Sequence, residues 1–260
     1  MKIGVMTYRE KPTIPQIDWI GKNKFGFVDL SMEPPCATAE AMDPKKIRLL
    51  LKKYDLGMTG HTSPHLPFTH LHKEIRDAAS KELKKYLVFL HKVGSPNMNI
   101  HSPFKDRIDP RKAIEHYSEL LDVVMPLARK YKIKVMLENW LNTDEYIRFY
   151  RGIFKRYPKL KLHLDIGHCY LRPKKDMVSW FLKNYGDRIE HVHFSDNLGR
   201  KDNHYALGEG AVPWLKTIRL LKKYGYDGTI TLETFFMRGK RRQNAFLYSR
   251  NKLLKWWGNC

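Results

Sequence analysis

The chain has 260 residues, close to the ~250 of a single TIM barrel and enough to bury a sizeable core. Hydrophobic residues make up 42%, yet no apolar run reaches the ~18 residues that a membrane span requires, so a spanning helix is excluded. Lys and Arg total 48 against 27 Asp and Glu, a net charge of +21 that points to an anionic partner.

Short β-branched or apolar runs alternate with amphipathic helical stretches, the pattern of a parallel sheet with crossover helices. Eight runs are predicted as strands: Lys2–Met6, Gly26–Leu30, Leu56–Gly60, Asn97–Ile100, Ile133–Leu137, Leu160–Leu164, Ile189–Phe194 and Thr229–Leu232. The second is followed by a Pro- and Ala-rich loop, Ser31 to Met42, rather than a strong helix. Helices are predicted over His70 to Val93 and Pro110 to Tyr131, the latter opened by Asp109 and Pro110 as N-cap and first helical residue. A basic patch, Arg238 to Arg242, follows the eighth strand, and a final helix ends in Trp256 and Trp257, read as packing residues. Eight strand–helix repeats predict an α/β fold, a (β/α)8 TIM barrel formed as one domain over residues 1–260. MKIGVMTYRE enters its strand without an export signal, and Cys36, Cys169 and Cys260 lack metal or disulfide spacing. A cytoplasmic location is therefore expected, and the oligomeric state is left open.

The chemistry-bearing residues fall in a pattern. His61, His101, Glu138, Asp165, His193 and Glu233 each sit at, or one residue from, the C-terminal end of a predicted strand. In a TIM barrel those ends share the face on which active sites are built. A single histidine or glutamate at a strand end is more often structural, but packing gives no reason to repeat a metal-type side chain at that one end. Within LDIGHCY, Asp165 and His168 are separated by a tight turn, which lets a carboxylate and an imidazole face one ion. Asp202 and His204 lie two apart, hence on the same side if the chain is extended there. Oxygen and imidazole donors without thiolate suit zinc or manganese, with magnesium the harder alternative. Cys169 points away if its segment is extended and reads as a packing residue.

LENW, LDIGH, HVHFSDN, DNHYALGEG and TLETF together resemble the superfamily that unites endonuclease IV-type abasic-site nucleases with xylose-isomerase-like sugar isomerases and epimerases. The resemblance to the nucleases implies a cluster of up to three zinc ions held by His61, His101, Glu138, Asp165, His168, His193, Asp202, His204 and Glu233. The resemblance to the isomerases and epimerases implies one metal on Glu138, Asp165, His193 and Glu233, with both glutamates also moving protons. DNLGRKDNHYALGEG is similar to members grouped with sugar-phosphate isomerases.

Two activities follow. In a phosphodiester hydrolase that incises DNA at abasic sites, metal ions would activate water and Glu138 would orient it. Lys105, Arg107, Arg200, Lys201, Arg238, Arg241 and Arg242 would then contact DNA phosphates. In a sugar or sugar-phosphate isomerase or epimerase, one metal would polarise a carbonyl while Glu138 and Glu233 act as acid and base, and the same basic residues would hold an anionic sugar phosphate. The hydrolase is preferred at this stage because His61, Asp202 and His204 have no evident task around a single ion. A basic barrel that binds nucleic acid without turnover is the third expectation.

Overall fold

The computed structural model describes residues 1–105, 107–172, 176–235 and 242–260, with the Arg242 side chain left aside. Its eight strands form a closed parallel barrel in chain order, with helices around it. The chain divides into two compact units, one of residues 6–138 and 144–161, the other of residues 1–5, 139–143 and 162–260.

The first unit carries β2 (Phe27–Met32), β3 (Gly57–Thr62), β4 (Asn97–His101) and β5 (Lys134–Glu138), paired in parallel. Helices α1 (Thr13–Lys22), α2 (Pro44–Tyr54), α3 (Lys73–Val93), α4 (Pro110–Lys130) and α5 (Asp144–Arg156) belong to the same unit. All of β2 is buried, as expected of a parallel strand covered on both faces. Leu83, Leu87 and Leu90 of α3 are buried with Met98 and Ile100 of β4. Gly60 makes close packing possible, because a Cβ there would lie 2.3 Å from Leu90 Cδ1. The Asp109 carboxylate accepts from the amides of Arg111 and Lys112, so α4 starts at Pro110 as predicted. Helix α3 starts at Lys73 rather than His70: His70 Nδ1 accepts from the His72 amide at 3.1 Å, a local bond that competes with a helical turn.

The second unit carries β6 (Lys161–Asp165), β7 (Ile189–Phe194), β8 (Thr229–Leu232) and β1 (Lys2–Met6), again parallel. Its helices are α6 (Ile166–Cys169, one turn), α7 (Met177–Tyr185), α8 (Trp214–Lys223) and α9 (Arg242–Gly258). Trp256 of α9 stacks on Trp214 with ring planes 11° apart; both α9 tryptophans, Trp256 and Trp257, are half-buried, so they pack at the surface rather than in the core. Among the described residues, no helix is long and apolar enough to cross a membrane.

Strands β2 to β6 run one or two residues beyond their predicted C-terminal ends. The apolar run stops there, but the parallel ladder continues, pairing Ser31 with His61, His101 with Glu138 and Asp165 with His193. The ladder, not the hydrophobic pattern, fixes the height at which these side chains stand.

Candidate metal centre

Within the first unit, His61, His101 and Glu138 offer donor atoms that all lie within 4.8 Å of one another. His101 and Glu138 are register partners on adjacent strands, which puts their side chains on one face, and His101 Nε2 stands 3.2 Å from Glu138 Oε2. His61 Nε2 lies 3.1 Å from His101 Nε2 and 3.9 Å from the same carboxylate oxygen. The Asn99 side-chain amide donates to Glu138 Oε2, and the Tyr117 hydroxyl donates to the His101 carbonyl. Both bonds fix the pair in place.

Within the second unit, Asp165, His193 and Glu233 form a second group, whose donor atoms also lie within 4.8 Å of one another. Asp165 and His193 are register partners, and Glu233 follows β8 by one residue. His193 Nδ1 is 3.1 Å from Glu233 Oε2 and 3.8 Å from Asp165 Oδ2. Ligands bound to one ion at about 2.0–2.2 Å stand roughly 3–3.5 Å apart, so this group is near the spacing that an ion needs. Asp165 Oδ2 is buried and has no hydrogen-bond partner among the described residues, an orphaned acceptor that suits a cation. The donor set, two carboxylates and an imidazole without sulfur, fits zinc, manganese or magnesium.

A chain of polar contacts joins the remaining predicted ligands to this group. Glu233 Oε2 lies 3.5 Å from His204 Nδ1, His204 Nε2 lies 2.8 Å from Asp202 Oδ2, and the same Asp202 oxygen lies 3.2 Å from His168 Nε2. His168 Nδ1 meets the Asn139 carbonyl at 2.8 Å, which directs Nε2 toward Asp202. The expectation that Asp202 and His204 meet because the chain is extended is corrected. His204 has φ of +47°, in the left-handed region, and this turn folds its ring back onto Asp202.

These neighbours set the protonation of the group. Burial raises the Asp165 carboxyl to about 6, with Glu233 adding to the effect and His168 and His193 opposing it. Burial alone would lower the His204 imidazolium, but Glu233 and Asp202 outweigh it and push it up to about 9. Burial would raise Asp202, yet His204 and His168 hold it well below the usual carboxylate range. Cys169 is buried, and burial pushes its thiol well above the ordinary value, which fits a packing role.

The basic residues do not share this confinement. Lys105, Arg107, Arg200 and Lys201 are exposed on loops, and none forms an ion pair among the described residues. Arg238 and Arg241 lie outside the described residues, as does the side chain of Arg242.

Sequence reasoning passed over four buried polar residues in the strands and in the loops that follow them. Asn99 carries the bond to Glu138. Asn139 gives its side-chain amide to the Asp165 carbonyl at 3.0 Å and accepts the Asp165 amide at 2.7 Å. Glu33 follows β2 by one residue, is buried, and receives Arg9 at 2.6 Å, so the second strand also ends in a carboxylate. Asp196 is fully buried in the loop after β7. The signal for Glu33 was its place just past an apolar strand, hidden by ending that strand at Leu30.

Residues 17–253 match the model of the xylose isomerase-like TIM barrel family, and the chain belongs to that family. It is 26% identical over 282 residues to the uncharacterized protein MJ1311 of Methanocaldococcus jannaschii, covering 95% of this chain and 88% of that protein. A fructoselysine 3-epimerase of Escherichia coli O157:H7 is 36% identical over 98 residues, 37% of this chain and 33% of the enzyme. A crystal structure of a D-tagatose 3-epimerase-like protein superimposes with a TM-score of 0.82 at 21% identity, covering 100% of this chain and 98% of that one.

Proposed function

We propose that the protein is a divalent-metal-dependent isomerase or epimerase acting on a sugar or sugar phosphate. The observation that carries this reading is the buried Asp165–His193–Glu233 group, with an orphaned carboxylate oxygen aimed among nitrogen and oxygen donors. The named relatives support it, since they include a fructoselysine 3-epimerase and a D-tagatose 3-epimerase-like protein. Incision of DNA, the preferred expectation from sequence, finds no support in those relatives, and neither does a DNA partner.

Asp165, His193 and Glu233 would hold the ion, with Glu138 the fourth ligand by family resemblance. The bound metal would polarise a substrate carbonyl and the hydroxyl beside it. Epimerisation requires a proton to leave one face of a carbon and another to arrive on the opposite face. Glu138, the last residue of β5, and Glu233, one residue past β8, are the carboxylates proposed for these two transfers. Asn99 orients Glu138, while His193 and His204 orient Glu233. His61 and His101 then have a task in the one-ion reading as neighbours that tune Glu138, and Asp202 and His204 as neighbours that tune Glu233. Lys105, Arg107, Arg200 and Lys201 are the residues proposed to meet a phosphate on the substrate.

The test is solvent exchange. Manganese-loaded protein incubated in deuterium oxide with D-fructose, D-tagatose and their phosphates should place deuterium on the carbon next to the carbonyl. Glu138→Gln and Glu233→Gln should each slow this by about 10²–10⁴-fold. Protein that binds manganese but exchanges no carbon-bound proton in any ketose would refute the proposal.

A further inference from the structure

Asp196 is a carboxylate with no solvent exposure and, among the described residues, no acidic or basic side chain bonded to it, and it belongs to the HVHFSDN motif without a task in the chemistry above. Its Oδ1 accepts from the amides of Asn197 at 2.9 Å and Val212 at 3.1 Å. Its Oδ2 accepts from the Gly208 amide at 2.8 Å and the Trp214 indole N–H at 2.9 Å. Four N–H donors, three from the backbone and one from an indole, therefore converge on one side chain. Its backbone pairs in both directions with Tyr205, at 3.0 and 2.8 Å, which closes the loop that carries Asp202 and His204. The next residue, Asn197, donates from its side chain to the Gly167 carbonyl at 2.9 Å, inside the turn that links Asp165 to His168.

We propose that Asp196 is a positioning residue: its carboxylate knots residues 197–214 so that Asp202 and His204 stand ready beside His168 and Glu233 before metal or substrate arrives. The proposal rests on the metal-site reading for its functional consequence and on the hydrogen bonds alone for its structural part. Building the loop around an ionised acceptor is favourable because bonds to a charged oxygen are about twice as strong as neutral ones. Gly210 shows how closely the knot is drawn, since a Cβ there would lie 2.2 Å from Asp196 Oδ1 and 2.5 Å from the Asn197 carbonyl.

Asp196→Asn is the direct test. Either orientation of the asparagine sets its NH2 group against two N–H donors, so half the knot is lost without a change in volume. In metal-free protein, amide hydrogen exchange over residues 202–212 should become faster by roughly tenfold or more, while exchange in the β7 ladder stays as in wild type. Manganese titrated into metal-free protein should bind about 10–100-fold more weakly. In the Asp202→Ala/His204→Ala background, Asp196→Asn should then cost nothing further, because its effect passes through those residues. Gly210→Ala, which pushes the loop off the carboxylate without removing it, should reproduce both effects if Asp196→Asn does not fold. Unchanged exchange in the loop would overturn the proposal, as would an equal loss of manganese affinity with Asp202 and His204 already removed. A wild-type protein that binds no manganese would sink the metal-site reading, and the exchange result would still decide whether Asp196 orders the loop.

Discussion

In the metal-free protein, His204 should make stability fall as pH rises from 6.5 to 9. The folded protein holds the imidazole between Glu233, 3.5 Å from Nδ1, and Asp202, 2.8 Å from Nε2. Burial works against the proton, but the two carboxylates outweigh it and raise the group from 6.5 to about 9. A folded-state value above the unfolded one means that the folded protein binds the extra proton. The stabilisation is then complete below pH 6.5 and gone once pH has passed about 9. At 1.36 kcal/mol per tenfold change in proton affinity, the interval corresponds to about 3 kcal/mol. Urea unfolding in the presence of a chelator, at pH 6, 7, 8 and 9, measures this directly. Relative to His204→Gln, wild type should lose about 3 kcal/mol across the series. Curves that run parallel would show that His204 does not carry its proton in the folded state, and the electrostatic reading of the Asp202–His204–Glu233 chain would fail.

Asp165 should add a second window: its carboxyl, raised by burial to about 6, stabilises the metal-free fold below pH 3.8 and loses that contribution as pH rises through 6, so Asp165→Asn should be flatter in pH over that range by urea unfolding. Elemental analysis should find one ion per chain in wild type and in Asp202→Ala/His204→Ala, with the double variant raising KM more than it removes metal; loss of the ion would show that those residues are ligands. Asn99→Leu, which deletes the donor to Glu138, should lower kcat about tenfold or more at unchanged metal content. Gly60→Ala should cost about 1–3 kcal/mol in thermal or urea unfolding, because its methyl group would meet Leu90 at 2.3 Å.

The barrel was legible because its parallel strands are largely buried and several spell short apolar runs, with every residue of β2 covered. The same rule misplaces the functional ends. Chemistry begins where the apolar run stops, and Ser31, His61, His101, Glu138 and Asp165 are polar residues that the parallel ladder retains as strand. Strand-end histidines and carboxylates could be read because they recur at one end of many strands. Glu33 could not, since its strand was ended two residues early and its partner Arg9 comes from 24 residues away in the chain. Asp196 and Asn139 illustrate a different limit. Their role is to accept or donate to backbone groups, Asn139 to Asp165 and Asp196 to Asn197, Gly208 and Val212, and a backbone partner leaves no mark of residue type in the sequence. The charge of +21 was the weakest guide, because DNA and a sugar phosphate present the same kind of anion to Lys105, Arg107, Arg200 and Lys201. Under the proposed isomerase or epimerase reading, what would distinguish those substrates is the acid–base pairing of two glutamates with their neighbours, Asn99 beside Glu138 and His193 and His204 beside Glu233.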